Sequence, residues 1–227
     1  ERKAAHVPAA RITDADRDRV RALVAEEAAA VVATGHLAAI RAQVQWLETA
    51  LVRAVSMLAR APRVDGVEPN DFEVRIGVPD RSGTPAALAS APIELGDGRT
   101  LYLGGIIDRV DEGPRARAVV EYKTASTGSI RRMAHVDALF ENHFQLLLYL
   151  RILEHHRPTQ PQHALHGYLI SLRDGTTSSD VAEVPDLRAR VLDDERDDGL
   201  AAGVARVVLP ILEGTLPPDA GDRCDTC

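Results

Sequence analysis

Two stretches decide how this chain folds: Leu103-Gly104-Gly105-Ile106-Ile107-Asp108-Arg109-Val110-Asp111 and Ala118-Val119-Val120-Glu121-Tyr122-Lys123-Thr124. Each is an apolar run of strand length, ending on charged residues that would ordinarily be solvated. The turn residues Asp111-Glu112-Gly113-Pro114 between them predict a hairpin that pairs the two strands. If the strands pair across that turn, Asp108 and Glu121 approach each other at one sheet edge. Glu121 and Lys123 are two apart, so both point to one face of their strand. Two carboxylates and an ammonium then converge. Repulsion between the carboxylates is costly without a cation, and Mg2+ or Mn2+ with oxygen ligands relieves it. Such an ion polarises a phosphate and lowers the pKa of a water, while a lysine orients the attacking hydroxide. An isolated Glu-x-Lys is more simply a surface salt bridge. Gly104-Gly105 and the apolar run before Glu121 set this one apart.

Outward from the hairpin, the hydrophobic periodicity changes twice. Thr13 or Asp14 caps a predicted helix running to about Val32, and Gly35 breaks it. A second helix runs from about His36 to Arg60, with Ile40, Val44, Leu47, Leu51, Val55 and Leu58 in one stripe. Pro62 to Pro69 reads as a loop. Phe72 to Val78 alternates like a half-buried strand, and further strands are expected at Ile93–Leu95, Thr100–Val110 and Ala116–Tyr122. Consecutive strands of this kind predict an antiparallel meander. Helix returns at about Val136–His156 and carries Gln145 and Tyr149, four apart and on one face. A strand at Leu165–Leu172, a weaker one at Asp180–Val184, and a helical region at Asp186–Glu213 interrupted near Gly199 and Pro210 complete the order. The fold class is therefore α/β, a mixed central sheet with helices packed on it.

Composition bounds the reading. The chain has 227 residues, 45% hydrophobic and 27% charged, enough for a core of useful size. No stretch approaches the roughly 18 apolar residues of a membrane span, and Glu1 to His6 lack the apolar segment of a signal peptide. Two cysteines fit a reducing compartment, which points to the cytoplasm. The formal net charge is −7, which argues against a free-standing nonspecific DNA binder. A larger assembly could supply the DNA grip.

Gly-x-Ile-Asp-Arg-x-Asp at 105–111, then an apolar pair before Glu121-Tyr122-Lys123-Thr124, then Gln145-x-x-x-Tyr149, resembles the RecB/AddB-type nuclease module of the PD-(D/E)XK superfamily. The resemblance implies a restriction-endonuclease-like fold: a helical part over 1–69, the nuclease core over 70–215, and a tail over 216–227. It implies metal ligation by Asp108, Glu121 and the backbone carbonyl of Tyr122, with Lys123 as the motif's lysine. Gln145 and Tyr149 match the helix motif expected to border the site and to contact DNA or support the acids. Glu73 stands where the family often has Glu. The implied activity is hydrolysis of DNA phosphodiesters in end processing for repair, beside a helicase subunit or domain, with exonuclease and endonuclease action both open. The rival is a catalytically dead member of the fold, kept for DNA binding or scaffolding.

Two features depart from the family. Neither His6 nor His36 sits in the context of the metal-binding histidine that such modules usually carry. Cys224 and Cys227 match the opening of the terminal group that holds an iron–sulfur cluster, but a [4Fe-4S] cluster needs four ligands. The others would lie outside this chain. A zinc site of His163 and His166 with the cysteines ranks low, and Arg131 and Arg132 are candidate phosphate contacts on a solvated segment.

Overall fold

A computed structural model describes residues 13–32, 37–58, 67–77, 79, 83–141 and 143–215. Two helices open the chain, α1 (Asp14–Val32) and α2 (Leu37–Leu58). Thr13 caps α1 reciprocally: its hydroxyl accepts from the Asp16 backbone N–H at 3.3 Å, and its own N–H donates to Asp16 Oδ2 at 2.7 Å. Two orphan donors of the helix start are thereby satisfied. Val24 and Ala50 are buried where the two helices meet, and Arg21 reaches Glu48 across them.

Seven strands follow: β1 (Glu68–Ile76), β2 (Ala91–Glu94), β3 (Thr100–Leu103), β4 (Gly105–Glu112), β5 (Ala116–Lys123), β6 (Ala164–Ser171) and β7 (Thr176–Thr177). Five form one sheet in the order β1-β4-β5-β6-β7, while β2 and β3 make a separate two-stranded sheet. The pairs β1–β4, β4–β5 and β6–β7 are antiparallel. Ala164 N donates to Arg115 O and Leu172 N to Lys123 O, the same offset at both ends, so β5 and β6 run parallel. A parallel neighbour requires a crossover, and the helices α3 (Thr127–Met133), α4 (Val136–Glu141) and α5 (Gln145–His156) provide it. The sheet is mixed and flanked by helices, as the sequence predicts. Two further helices, α6 (Leu187–Leu192) and α7 (Leu200–Leu212), close the described chain.

The chain divides into two units. The first holds α1 and α2, the end of β5 with α3, and the end of β6 with β7. The second holds β1 to β4, the body of β5 and of β6, and α4 to α7. Its core is aliphatic: Ile76, Ile93, Ile107, Val110, Leu139, Leu146, Leu147, Leu150, Leu153 and Leu200 are almost fully buried.

Several elements differ from expectation for local reasons. The strand predicted over 100–110 is split at Gly104, and its first part pairs with β2. The meander is thus interrupted, and β1 pairs directly with β4. The helix predicted over 136–156 is two helices, with the N-terminus of α5 at Gln145. The weak strand at 180–184 is a 3-10 turn over Val181–Glu183, because the Asp180 side chain accepts from the Ala182 N–H at 2.9 Å and bends the backbone. Pro210 does not interrupt α7.

Candidate active site

The β4–β5 register pairs Arg109 with Val120, Val110 with Val119 and Asp111 with Ala118. Continued by one residue within both strands, it sets Asp108 opposite Glu121. Directly opposed residues share a face at about 4.5–5.5 Å between Cβ atoms, so both carboxylates rise from the same side of the sheet. The β1–β4 register is constant from Asp71 to Ile76 and places Glu73 opposite Asp108 in the same way. Glu73 has φ 51°, one of two non-glycine residues with positive φ among those described. A glutamate in the left-handed region inside a strand is backbone strain, which elsewhere marks functional positions.

Helix α5 lies over this face, fixed at two points. Near its start, Gln145 Nε2 donates to Glu121 Oε1 at 2.7 Å and to Tyr149 Oη at 3.1 Å. Near its end, Glu154 Oε1 accepts from Arg117 at 2.7 Å, and Arg117 also reaches Glu112. Arg117 and Glu121 stand on the same face of β5 as they are four apart, so the helix runs antiparallel to that strand. Glu154 is buried and further held by Arg188 at 2.7 Å and by the Thr159 hydroxyl. Burial works to raise the Glu154 carboxyl, but the Arg188 and Thr159 hydrogen bonds prevail and hold it below the usual range. Sequence reasoning overlooked this anchor. Its signal is an acid at 154 in phase with Leu147 and Leu150 on the apolar stripe of the helix.

Tyr149 is 8% exposed, and a Cβ at Gly105 would stand 3.4 Å from its ring and hydroxyl. Gly105 therefore admits the tyrosine against β4. Burial raises the Tyr149 phenol above its ordinary value, Gln145 opposes, and the charges of Glu121 and Asp108 add to the rise. The phenol stays a neutral hydroxyl beside both acids.

Lys123 is half-buried and lies two residues beyond Glu121 on the same face of β5, and its carbonyl accepts from Leu172 N at 2.8 Å. Tyr122 lies between them. Arg131 and Arg132 are exposed on α3, with Arg132 bonded to the Ser129 hydroxyl at 3.2 Å. His6, His36, Cys224 and Cys227 lie outside the described residues. His166 does not face a metal through Nδ1: that atom meets Asp180 Oδ2 at 2.6 Å, and Tyr168 donates to the same oxygen at 2.7 Å.

The donor set suits a hard divalent ion, which prefers carboxylate and carbonyl oxygens. Asp108 and the Glu121 carboxylate (residue 5% exposed) oppose each other on one face. Among the described residues no group of three or more His, Cys, Asp or Glu side chains is gathered to hold an ion. The remaining positions of such an ion would fall to backbone oxygen and water, as is usual for Mg2+. No helix among the described residues is long and apolar enough to cross a membrane.

A family model described as the PD-(D/E)XK nuclease superfamily matches residues 3–227. No curated protein matches the chain.

Proposed function

The chain belongs to the PD-(D/E)XK nuclease superfamily, and from that premise we propose that it is a divalent-metal-dependent deoxyribonuclease acting through Asp108, Glu121 and Lys123. The observation that carries this reading is the register that opposes Asp108 to Glu121 on the face where Gln145 grips the Glu121 carboxylate.

Asp108, Glu121 and the Tyr122 carbonyl would hold Mg2+ or Mn2+. When bound, the ion polarises the scissile phosphate and acidifies the attacking water. Lys123 then offers a positive charge to the nucleophile and to charge developing on the phosphate. Gln145 fixes one oxygen of Glu121, which leaves the other for the ion, and the Tyr149 hydroxyl supports Gln145 from below. Glu73, opposite Asp108, supplies a further carboxylate at the edge of the site. Arg131 and Arg132 are assigned to the phosphates of the DNA.

The Gln-x-x-x-Tyr spacing on α5 supports the finer reading of a RecB/AddB-type module. A chain of net charge −7 is ill suited to capture DNA alone, so a helicase subunit or domain is the proposed partner that delivers the strand. Cys224 and Cys227 would then join two ligands from outside this sequence in a [4Fe-4S] cluster.

Incubation of the purified chain with labelled single-stranded and duplex DNA tests the reading. Cleavage with Mg2+ or Mn2+ that EDTA abolishes is the expected result. No cleavage of either substrate, with the partner restored, would leave a non-catalytic module that binds DNA or serves as a scaffold.

A further inference from the structure

We infer that Arg75 is a phosphate-binding residue that grips the nucleic-acid strand beside the point of cleavage. The inference rests on the nuclease reading of the Asp108–Glu121 site.

Arg75 lies on β1 and is paired in register with Ile106 of β4. Opposed residues share a face, and Ile106 and Asp108 are two apart on a regular strand, so Arg75 rises from the same face as Asp108. It stands on the diagonal from Asp108, where Cβ atoms are about 7–8 Å apart. That offset lies within reach of an extended arginine, yet no hydrogen bond or ion pair joins its guanidinium to any described residue.

The rest of the chain makes this unusual. Acids outnumber Lys and Arg by 34 to 27, and the other arginines of the sheet and its covering helices are held by carboxylates. Arg109 is bound by Asp111, Arg117 by Glu112 and Glu154, Arg151 by Asp194, and Arg157 by Asp71. Arg75 alone among these keeps its fork open, half-buried at the edge strand of the sheet. Beside it, Ile106 is 37% exposed on a face otherwise given to polar groups. A planar cation next to an exposed aliphatic side chain matches a nucleotide, with phosphate on the guanidinium and sugar or base on the isoleucine. Arg75 would thus hold a phosphate next to the one being cut, setting the register of the strand over Asp108.

Two readouts test this. The first is anisotropy of a fluorescein-labelled single-stranded oligodeoxynucleotide in EDTA, where binding is read without cleavage. Arg75→Gln should weaken binding about tenfold and reduce the salt slope by about one. Arg75→Lys should restore the slope but only part of the affinity, since a point charge replaces a bidentate fork. The second is steady-state cleavage with Mn2+, in which Arg75→Gln should raise KM for DNA about tenfold with a smaller change in kcat. Unchanged affinity and salt slope in Arg75→Gln would overturn the inference, as would a parent chain that binds no oligonucleotide at low salt. A parent that binds through Arg75 but cuts nothing would sink the nuclease reading and leave this contact standing. Because the Arg75 side chain has no described partner, thermal melting should be unchanged in both variants.

Discussion

At the scale of single residues, position decides what each polar group can do. Gln145 packs little but orients a carboxylate, because its one amide bridges Glu121 and Tyr149. Gln145→Ala should therefore lower DNA cleavage by one to two orders of magnitude while costing only about 1 kcal/mol of stability. Parallel loss of activity and melting temperature would assign it a purely structural part. Asp180 is the opposite case, remote from chemistry and fully employed. Its two oxygens accept from Gly167 N, Ala182 N, His166 and Tyr168. Burial works to raise its carboxyl, but these hydrogen bonds prevail and hold it below the usual range. Since the folded value lies below the unfolded one, the stability it contributes is complete above the unfolded value. It is lost as pH falls through the depressed folded value. Asp180→Asn should lower stability at neutral pH by about 1–3 kcal/mol and flatten the acid limb of a melting-temperature profile. An acid limb identical to the parent's would contradict this.

At the scale of elements, the site depends on how α5 is clamped to β5. Glu154 and Arg117 are both nearly excluded from solvent, so breaking the pair leaves an uncompensated buried charge, at about 3–5 kcal/mol. Glu154→Ala should lower the melting temperature and, by loosening the helix that carries Gln145, reduce activity beyond the fraction unfolded. Helix α7 gives a test of sign. Gly→Ala inside a helix ordinarily stabilises by about 0.5–1 kcal/mol. At Gly203, however, a Cβ would collide with the Phe140 carbonyl oxygen and stand 3.0 Å from the Phe144 ring. Backbone cannot yield as a side chain does, so Gly203→Ala should destabilise by about 1–3 kcal/mol in chemical denaturation. A stabilised variant would mean that α7 shifts freely against α4.

The same elements show what the sequence could and could not convey. The β4–β5 hairpin was legible because its turn and its two charged strand ends are local signals, and Gln145 and Tyr149 because four residues make one helical turn. The break at Gly104 was not, since whether Thr100–Leu103 joins β4 or turns aside to β2 depends on a partner that a run of apolar residues does not name. Asp180–Val184 looks like a strand by composition, yet one side-chain hydrogen bond converts it to a turn. Arg75 and Glu154 stayed hidden for a related reason: their meaning lies in which distant residues face them, or do not.

At the scale of the whole molecule, charge and ligand count set further limits. With a net charge of −7, cleavage by the chain alone should fall steeply as salt rises, since few cations are there to hold the DNA. A [4Fe-4S] cluster takes four ligands and the sequence has two cysteines, so the purified chain should be free of iron by elemental analysis. An iron-loaded preparation would require non-cysteine ligands, His163 first among them. The central claim is that Asp108 and Lys123 serve one metal-dependent reaction in different ways, and titration calorimetry with Mn2+ tests it most directly. Asp108→Ala and Lys123→Ala should both abolish cleavage by a folded protein. Asp108→Ala should weaken Mn2+ binding, because an anionic ligand is lost, whereas Lys123→Ala should preserve or tighten it, because a neighbouring positive charge is removed. A parent chain that binds no Mn2+, or an Asp108→Ala variant that binds it as the parent does, would contradict the account.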